Sequence, residues 1–166
     1  MKYWKAGLMF LISYIVQCTL LNIVAIGGYT PNLLLACAIV LTFLYDGQPY
    51  GMVMGAIFGL LYDISYGLVV GPTALSVIAV CFLVRILRYS ANVENIINMF
   101  LTGTFSIVLY YVADWLLMML TGLRPSVMRS LYTMLFAGMY TLLAVIIIYL
   151  ILRKKIIKHR RENYFI

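Results

Sequence analysis

Two aspartates stand inside apolar stretches of the sequence, and they are the first residues to consider for chemistry. Asp63 lies in the stretch Leu60–Gly67, and Asp114 lies in the stretch Tyr110–Trp115. A carboxylate in apolar surroundings is unfavourable unless it is paired, so it faces protein, a water-filled space or a partner. Two such carboxylates could together bind a cation or relay a proton.

Asp63 also has a structural interpretation, which we favour. It lies one turn beyond Gly59, near the end of its apolar run and just before a break in the chain. Its carboxylate could cap that break by accepting hydrogen bonds from backbone N–H groups near Gly67 or Gly71. A proton or ion site is the alternative for this residue.

Asp114 stands among aromatic side chains of the kind found where a membrane meets water. Two basic residues, Arg124 and Arg129, follow it beyond the end of the same apolar run. Either of them could pair with its carboxylate. A cation site shared by the two aspartates is the alternative, and nothing in their spacing requires it.

The remaining reactive side chains do not form a catalytic or metal-binding pattern. His159 is the one histidine and stands among basic residues of the C-terminal segment. Cys18, Cys37 and Cys81 lie in apolar runs without CxxC or Cys/His spacing, which is typical of small buried side chains. Nucleophile-elbow, zinc-protease and phosphate-loop motifs are missing from the sequence. We therefore predict a protein that is not an enzyme and that uses no cofactor or metal.

Composition places these residues in a membrane protein. Hydrophobic residues make up 65% of the 166 residues and charged residues only 10%, whereas a soluble domain has about 25% charged residues. We predict a single transmembrane domain over residues 1–152 and a basic cytoplasmic tail over residues 153–166. Basic residues directly after an apolar run stay in the cytoplasm and attract anionic lipid, so the predicted partner of this charge is the lipid bilayer and not nucleic acid.

Six apolar runs follow one another, separated by turns rich in glycine, proline or charge. We predict an all-α fold with helices over residues 6–26, 31–45, 50–66, 72–87, 96–120 and 131–152. The first run imitates a signal sequence but exceeds the about 7–15 residues of a signal core, which predicts an uncleaved helix. The second run is shorter than the about 20 residues that span a bilayer, so it crosses a thin region or enters only part of the way.

The basic residues give the orientation of these helices. With six spans and the N-terminus inside, only Arg124 and Arg129 of the 12 basic residues lie in outer loops. This asymmetry is the one that the positive-inside rule describes. A chain with five spans would export Lys2 and Lys5, which the same rule disfavours. We therefore predict a polytopic membrane protein with six transmembrane helices and cytoplasmic N- and C-termini.

Three glycines on the third helix form the strongest packing pattern in the sequence. Gly51, Gly55 and Gly59 are spaced by four residues, so they share one helical face. A face without side chains allows another helix to approach closely. We favour packing against a helix of the same chain, and a face for a partner protein is the alternative.

Short motifs continue on both sides of these glycines. They are Pro31-Asn32-Leu33-Leu34-Leu35, then Leu60, Leu61, Asp63 and Gly67 after the glycines, then Gly71-Pro72-Thr73-Ala74-Leu75, then Arg85 and Arg88, and finally Asp114. This order of features resembles the family of the rod shape-determining protein MreD, in layout over residues 6–152 and most sharply over residues 31–88. Asp46-Gly47 departs from the pattern, because the family often has a basic residue before this glycine. This departure leaves open whether the cytoplasmic turn at Asp46-Gly47 contacts the neighbour that it contacts elsewhere in the family.

The resemblance implies function by assembly in the bacterial cytoplasmic membrane. It implies a non-catalytic subunit of the cell-shape and cell-wall elongation complex. Such a scaffold binds an MreC-like membrane protein and, through it, a RodA-like polymerase, a penicillin-binding transpeptidase and the actin-like MreB. The family is also similar in fold to substrate-binding subunits of energy-coupling-factor vitamin transporters. That similarity gives the alternative function, a transporter subunit with an outward-facing polar pocket near Asp63, Asn32 and Asp114.

The expected functional residues form three sets. The helix-packing or partner-binding set is Gly51, Gly55 and Gly59. The structural polar and family-motif set is Pro31, Asn32, Asp63, Gly67, Gly71 and Asp114. The cytoplasmic anchor set is Arg85, Arg88, Arg153, Lys154 and Lys155.

Overall fold

Six α-helices make up most of the part of the chain that the structure describes. The computed structural model describes residues 3–23, 28–45, 48–91, 93, 95–123 and 125–163. The helices are α1 Tyr3–Ile23, α2 Leu33–Leu44, α3 Tyr50–Tyr66, α4 Pro72–Ser90, α5 Ile96–Leu120 and α6 Val127–Asn163. The described residues form no β-strand, so the predicted all-α class is confirmed.

Within the described residues, three helices are long and apolar enough to cross a membrane. They are Pro72–Tyr89 within α4, the whole of α5, and Val127–Lys154 within α6. The helix α2 is apolar but has only 12 residues. That length is about 18 Å, which is less than the about 30 Å of a hydrocarbon core.

The short helix α2 forms the centre of the bundle. Its residues from Leu34 to Leu41, with Phe43 and Leu44, are buried, and α2 contacts each of the other five helices. A helix that is apolar on every side has no face for water, so burial inside the protein is its stable position. The second apolar run of the sequence, which forms α2, is therefore the core around which the longer helices pack.

Side chains satisfy backbone groups at both ends of α2. Gln17 Oε1 and Asn32 Oδ1 each accept a hydrogen bond from a backbone N–H of the first turn, at 3.1 and 2.9 Å. At the other end, Arg88 donates to the carbonyl oxygen of Thr42 at 3.5 Å. Buried helix ends without such partners are unfavourable, so these contacts allow a short helix to end inside the protein.

The turns between helices lie at two opposite ends of the bundle. The turns 28–32 and 67–71 and the residues 121–123 and 125–126 border two neighbouring cavities at one end, which we name the Asp114 end. At the other end, the Tyr3 hydroxyl donates to the Gln48 side chain at 3.2 Å, and the Tyr149 hydroxyl donates to the Val93 carbonyl at 2.7 Å. We name this the Arg88 end, since Arg88 shares a cavity with Gln48 there. Successive helices therefore run in alternate directions.

The helix bounds differ from the sequence prediction mainly in α6. The bounds of α3 and α5 are those predicted, whereas α4 continues to Ser90 and α6 runs from Val127 to Asn163. No glycine or proline follows Gly138 in α6, and lysine and arginine are good helix formers. The basic segment after residue 152 therefore continues α6 as far as Asn163, and the cytoplasmic position of this segment stays a prediction. The predicted end of the first helix at residue 26 lies outside the described residues.

Candidate functional site

The glycine stripe of α3 is covered by the protein's own helices. Gly51, Gly55 and Gly59 are all buried. A Cβ atom on Gly55 would lie 2.6 Å from Val77 Cγ1, and one on Gly59 would lie 3.0 Å from Ala74 Cα. Both neighbours belong to α4, so the stripe permits a close approach of two helices that a larger residue would prevent.

The same stripe also faces α2. A Cβ atom on Gly51 would overlap the Thr42 side chain and lie 2.5 Å from the Ala38 carbonyl oxygen. Close contact on two sides leaves no space at these glycines for a helix from another protein. A partner that used this face would have to separate α3 from α2 and α4.

Asp63 caps the beginning of α4 from the neighbouring helix. Only 3% of the residue is exposed, and its Oδ2 accepts hydrogen bonds from the backbone N–H groups of Gly71 at 2.9 Å and Thr73 at 3.0 Å. Gly71 has a φ of 119°, a conformation that favours glycine. The Gly67 N–H bonds the Asp63 carbonyl at 2.8 Å and ends α3. The expected contact between Asp63 and the turn at Gly71 is present.

A polar cavity of about 500 Å³ lies at the Asp114 end. Its walls come from α1, the turn before α2, α3, α5 and α6. The lining residues are Gln17, Gly28, Tyr29, Thr30, Pro31, Asn32, Tyr62, Tyr110, Tyr111, Asp114, Arg129, Thr133 and Ala137. Of the polar and family-motif set, Pro31, Asn32 and Asp114 therefore meet here, whereas Asp63 is not part of the lining.

A second cavity of about 590 Å³ adjoins the polar cavity. The two share Tyr111, Asp114, Arg129 and Thr133 as a common wall. The other lining residues are Leu68, Trp115, Met118, Leu123, Pro125, Ser126 and Ser130. We name it the mixed cavity, because both aliphatic and polar residues line it.

Asp114 occupies the common wall with an oxygen that has no protein donor. Its Oδ1 is buried and takes part in no hydrogen bond, and the nearby Trp115 Nε1 is likewise buried without a partner. Arg129 lines both cavities but donates no hydrogen bond to that oxygen. The expected pairing with Arg129 is therefore not made at Oδ1, and Arg124 lies outside the described residues. Arg129 is exposed.

Two buried polar residues near this site were missed by the sequence analysis. Gln17 bonds the first turn of α2, and the Thr141 hydroxyl accepts a hydrogen bond from the Asn32 backbone N–H at 2.9 Å. Each stands alone in an apolar run, and that isolation was the available signal. Their partners are 17 and 109 positions away along the chain, so no local pattern indicated what they bind.

The anchor residues gather at the Arg88 end. Arg85 and Arg88 border a cavity of about 410 Å³. The Arg153 guanidinium lies 6.0 Å from the centre of the Tyr149 ring, at the limit of a cation–π contact. Lys154 is exposed, and the side chain of Lys155 lies outside the described part of the chain. Their role as a cytoplasmic anchor stays a prediction.

Comparison with protein-family models identifies the family to which the chain belongs. The family model described as rod shape-determining protein MreD matches residues 1–156. No curated protein and no solved structure matches the chain significantly. The family match includes α1 to α5 completely and most of α6. The chain therefore belongs to the MreD family of rod shape-determining proteins.

Proposed function

We propose that this chain is a non-catalytic membrane subunit of a cell-wall elongation complex and acts as a scaffold for an MreC-like partner. Family membership makes it a rod shape-determining membrane protein. The scaffold role is the part that we add as a proposal. The observation that carries this step is the use of four buried or half-buried polar groups. Gln17, Asn32, Asp63 and Thr141 all bind backbone groups of the chain itself. They cap helix ends, join neighbouring helices or bond within one helix, and they do not form a converging set of acid, base and nucleophile.

A complementation experiment tests the shape-determining role. Deletion of the gene for this chain from a rod-shaped host should give rounded cells, and expression of the chain should restore the rods. Gly7→Ala is a matched control, because its added methyl group would meet no atom closer than 3.7 Å, and it should restore the shape equally well. Cells that stay rod-shaped without the chain would count against the proposal.

We also propose six membrane-embedded helices with both termini in the cytoplasm of a bacterial cell. Tyr3 near the start of α1 and Tyr149 in the later part of α6 lie at the same end of the bundle. The chain therefore enters and leaves the bundle at one end, which supports an even number of crossings. Arg85, Arg88 and Lys154 are at that end too, which agrees with the positive-inside rule. The central helix α2 need not face lipid, because the other helices surround it.

Cysteine labelling tests this topology. In a background with Cys18, Cys37 and Cys81 replaced by alanine, single cysteines are introduced at Thr30 and Asn92. A membrane-impermeant maleimide should label Thr30→Cys in intact cells and Asn92→Cys only after the membrane is opened. Labelling of Asn92→Cys in intact cells would reject the topology.

The covered glycine stripe directs the search for the partner surface to other faces. Replacing Gly55 with a large residue would disturb the packing of α3 on α4, so a loss of partner binding in that variant would not locate an interface. Exposed side chains such as Phe105 on α5 and Met139 on α6 are better probes, because 64% of Phe105 and 67% of Met139 is exposed. Loss of the MreC-like partner in a stable Phe105 or Met139 variant would locate a contact.

The alternative function, a vitamin-transporter subunit, receives no support from the family match. We therefore keep the scaffold as the proposed function. Tight and saturable binding of a vitamin by the purified chain would reverse that order.

A further inference from the structure

The common wall of the two cavities contains an acceptor that the protein leaves unsatisfied. Asp114 Oδ1 is buried and has no hydrogen-bond partner, and an ionised carboxylate can only accept hydrogen bonds. A buried acceptor without a donor is unfavourable. The site is therefore suited to a ligand that brings an N–H donor to this oxygen.

Aromatic rings surround the same space. Tyr62, Tyr110 and Tyr111 line the polar cavity with Asp114, and the rings of Tyr110 and Tyr111 pack edge to face with centres 5.3 Å apart. A carboxylate beside electron-rich rings is suited to an ammonium group. A metal ion fits less well, because the described residues contain no cluster of three or more His, Cys, Asp or Glu side chains.

A positive charge borders the same cavities. Arg129 lines both of them and is exposed, and a guanidinium binds phosphate oxygens with two parallel hydrogen bonds. It donates no hydrogen bond to Asp114 Oδ1. An acidic and a basic side chain at one cavity therefore match a ligand with an ammonium and an anionic group close together.

The mixed cavity adds an apolar path beside this polar site. Leu68, Met118 and Leu123 line it, and it shares the wall at Asp114 and Arg129 with the polar cavity. The site is near the end of α5, where aromatic residues favour the level of lipid head groups. A ligand that fills both cavities would be polar at one end and aliphatic at the other.

We propose that the two cavities bind one phospholipid whose head group carries a primary ammonium and a phosphate, as in phosphatidylethanolamine. The ammonium donates to Asp114 Oδ1 among the tyrosine rings, the phosphate contacts Arg129, and an acyl chain follows the mixed cavity. This site does not depend on the scaffold role, since it involves neither the partner protein nor the glycine stripe.

Lipid retention measured by native mass spectrometry tests the site. The purified full chain is exchanged into detergent with equal amounts of phosphatidylethanolamine, phosphatidylcholine and phosphatidylglycerol that carry the same acyl chains. We expect retention of phosphatidylethanolamine to exceed that of the other two about tenfold, the effect of one charge-assisted hydrogen bond. Phosphatidylcholine has no N–H donor, and phosphatidylglycerol has no ammonium.

Three variants assign the effect to residues. Asp114→Asn should lower retention of phosphatidylethanolamine about tenfold by the same reasoning, and Arg129→Gln should lower it as well. Gly7→Ala changes a residue that lines neither cavity, and it should bind like the wild type. Arg129 is exposed, so Arg129→Gln should keep the wild-type unfolding midpoint and remain informative even if Asp114→Asn does not fold.

The outcomes are distinct. Equal retention of the three lipids, or wild-type retention in folded Asp114→Asn and Arg129→Gln, would overturn the proposal. Soluble phosphoethanolamine, added alone, distinguishes the source of the head group. We expect it to bind far more weakly than the lipid, and equal binding would overturn the assignment to a lipid.

Discussion

Replacement of Asp63 is the sharpest test of how the helices are held together. In Asp63→Ala, the backbone N–H groups of Gly71 and Thr73 lose the carboxylate oxygen that accepts their hydrogen bonds at 2.9 and 3.0 Å. Only 3% of Asp63 is exposed, so water cannot easily replace it. The variant should therefore unfold more readily, with the loss located at the start of α4.

The size of the loss follows from the contacts removed. A lost helix cap costs about 0.5–2 kcal/mol, and each buried N–H without an acceptor costs about 1–3 kcal/mol. Measured contributions of side-chain hydrogen bonds between helices to the stability of membrane proteins are smaller, about 0.6 kcal/mol on average, because the unfolded chain in lipid finds other partners. For Asp63→Ala we expect the free energy of unfolding to fall by about 2–4 kcal/mol, and by about half of that for Asp63→Asn, which keeps a neutral acceptor.

Unfolding in mixed micelles with increasing dodecyl sulfate, followed by circular dichroism, measures this difference. Asp114→Ala is the matched control, because it removes a buried carboxylate whose Oδ1 accepts no hydrogen bond, and its free energy of unfolding should therefore not fall below that of the wild type. If Asp63→Ala proves as stable as the wild type, or no less stable than Asp114→Ala, the capping role is refuted.

Three further substitutions can be measured in the same assay. Gly55→Ala would place a Cβ atom 2.6 Å from Val77 Cγ1, so overpacking should lower the free energy of unfolding by about 1–3 kcal/mol; an unchanged value would contradict the close helix contact. Gly7→Ala has no atom within 3.7 Å of its new Cβ and should gain about 0.5–1 kcal/mol in helix propensity, whereas a loss would show crowding there. Tyr149→Phe removes the hydroxyl that bonds the Val93 carbonyl at 2.7 Å and should cost about 1 kcal/mol; no change would mean that this bond contributes nothing.

Local contacts were the part of the site that the sequence could predict. Asp63 and the turn that it caps are separated by only 8 to 10 residues, so the end of an apolar run and the following glycines were enough to suggest the contact. The bounds of α3 and α5 were predictable for a similar reason, since a turn-forming or polar segment marks each end. The spacing of the glycines likewise indicated a packing face, although it did not show which helices fill it.

Contacts between distant parts of the chain could not be predicted. The hydrogen bond from Asn32 to Thr141 joins residues 109 positions apart, and no local pattern relates them. The central position of α2 also depends on all five neighbouring helices, although its apolar character on every side does favour burial. The sequence could place Arg129 near Asp114, and both line one cavity, but it could not show that Asp114 Oδ1 accepts no hydrogen bond from Arg129.

Binding of an MreC-like protein tests the scaffold most directly. Membranes that contain this chain, an MreC-like protein and a RodA-like polymerase are solubilised, and the chain is captured by an affinity tag. The proposed function predicts that the MreC-like protein co-purifies with the chain, and that the polymerase does so only when the MreC-like protein is present. Recovery of the chain without the MreC-like protein, under conditions in which Gly7→Ala and the wild type are both folded, would contradict it.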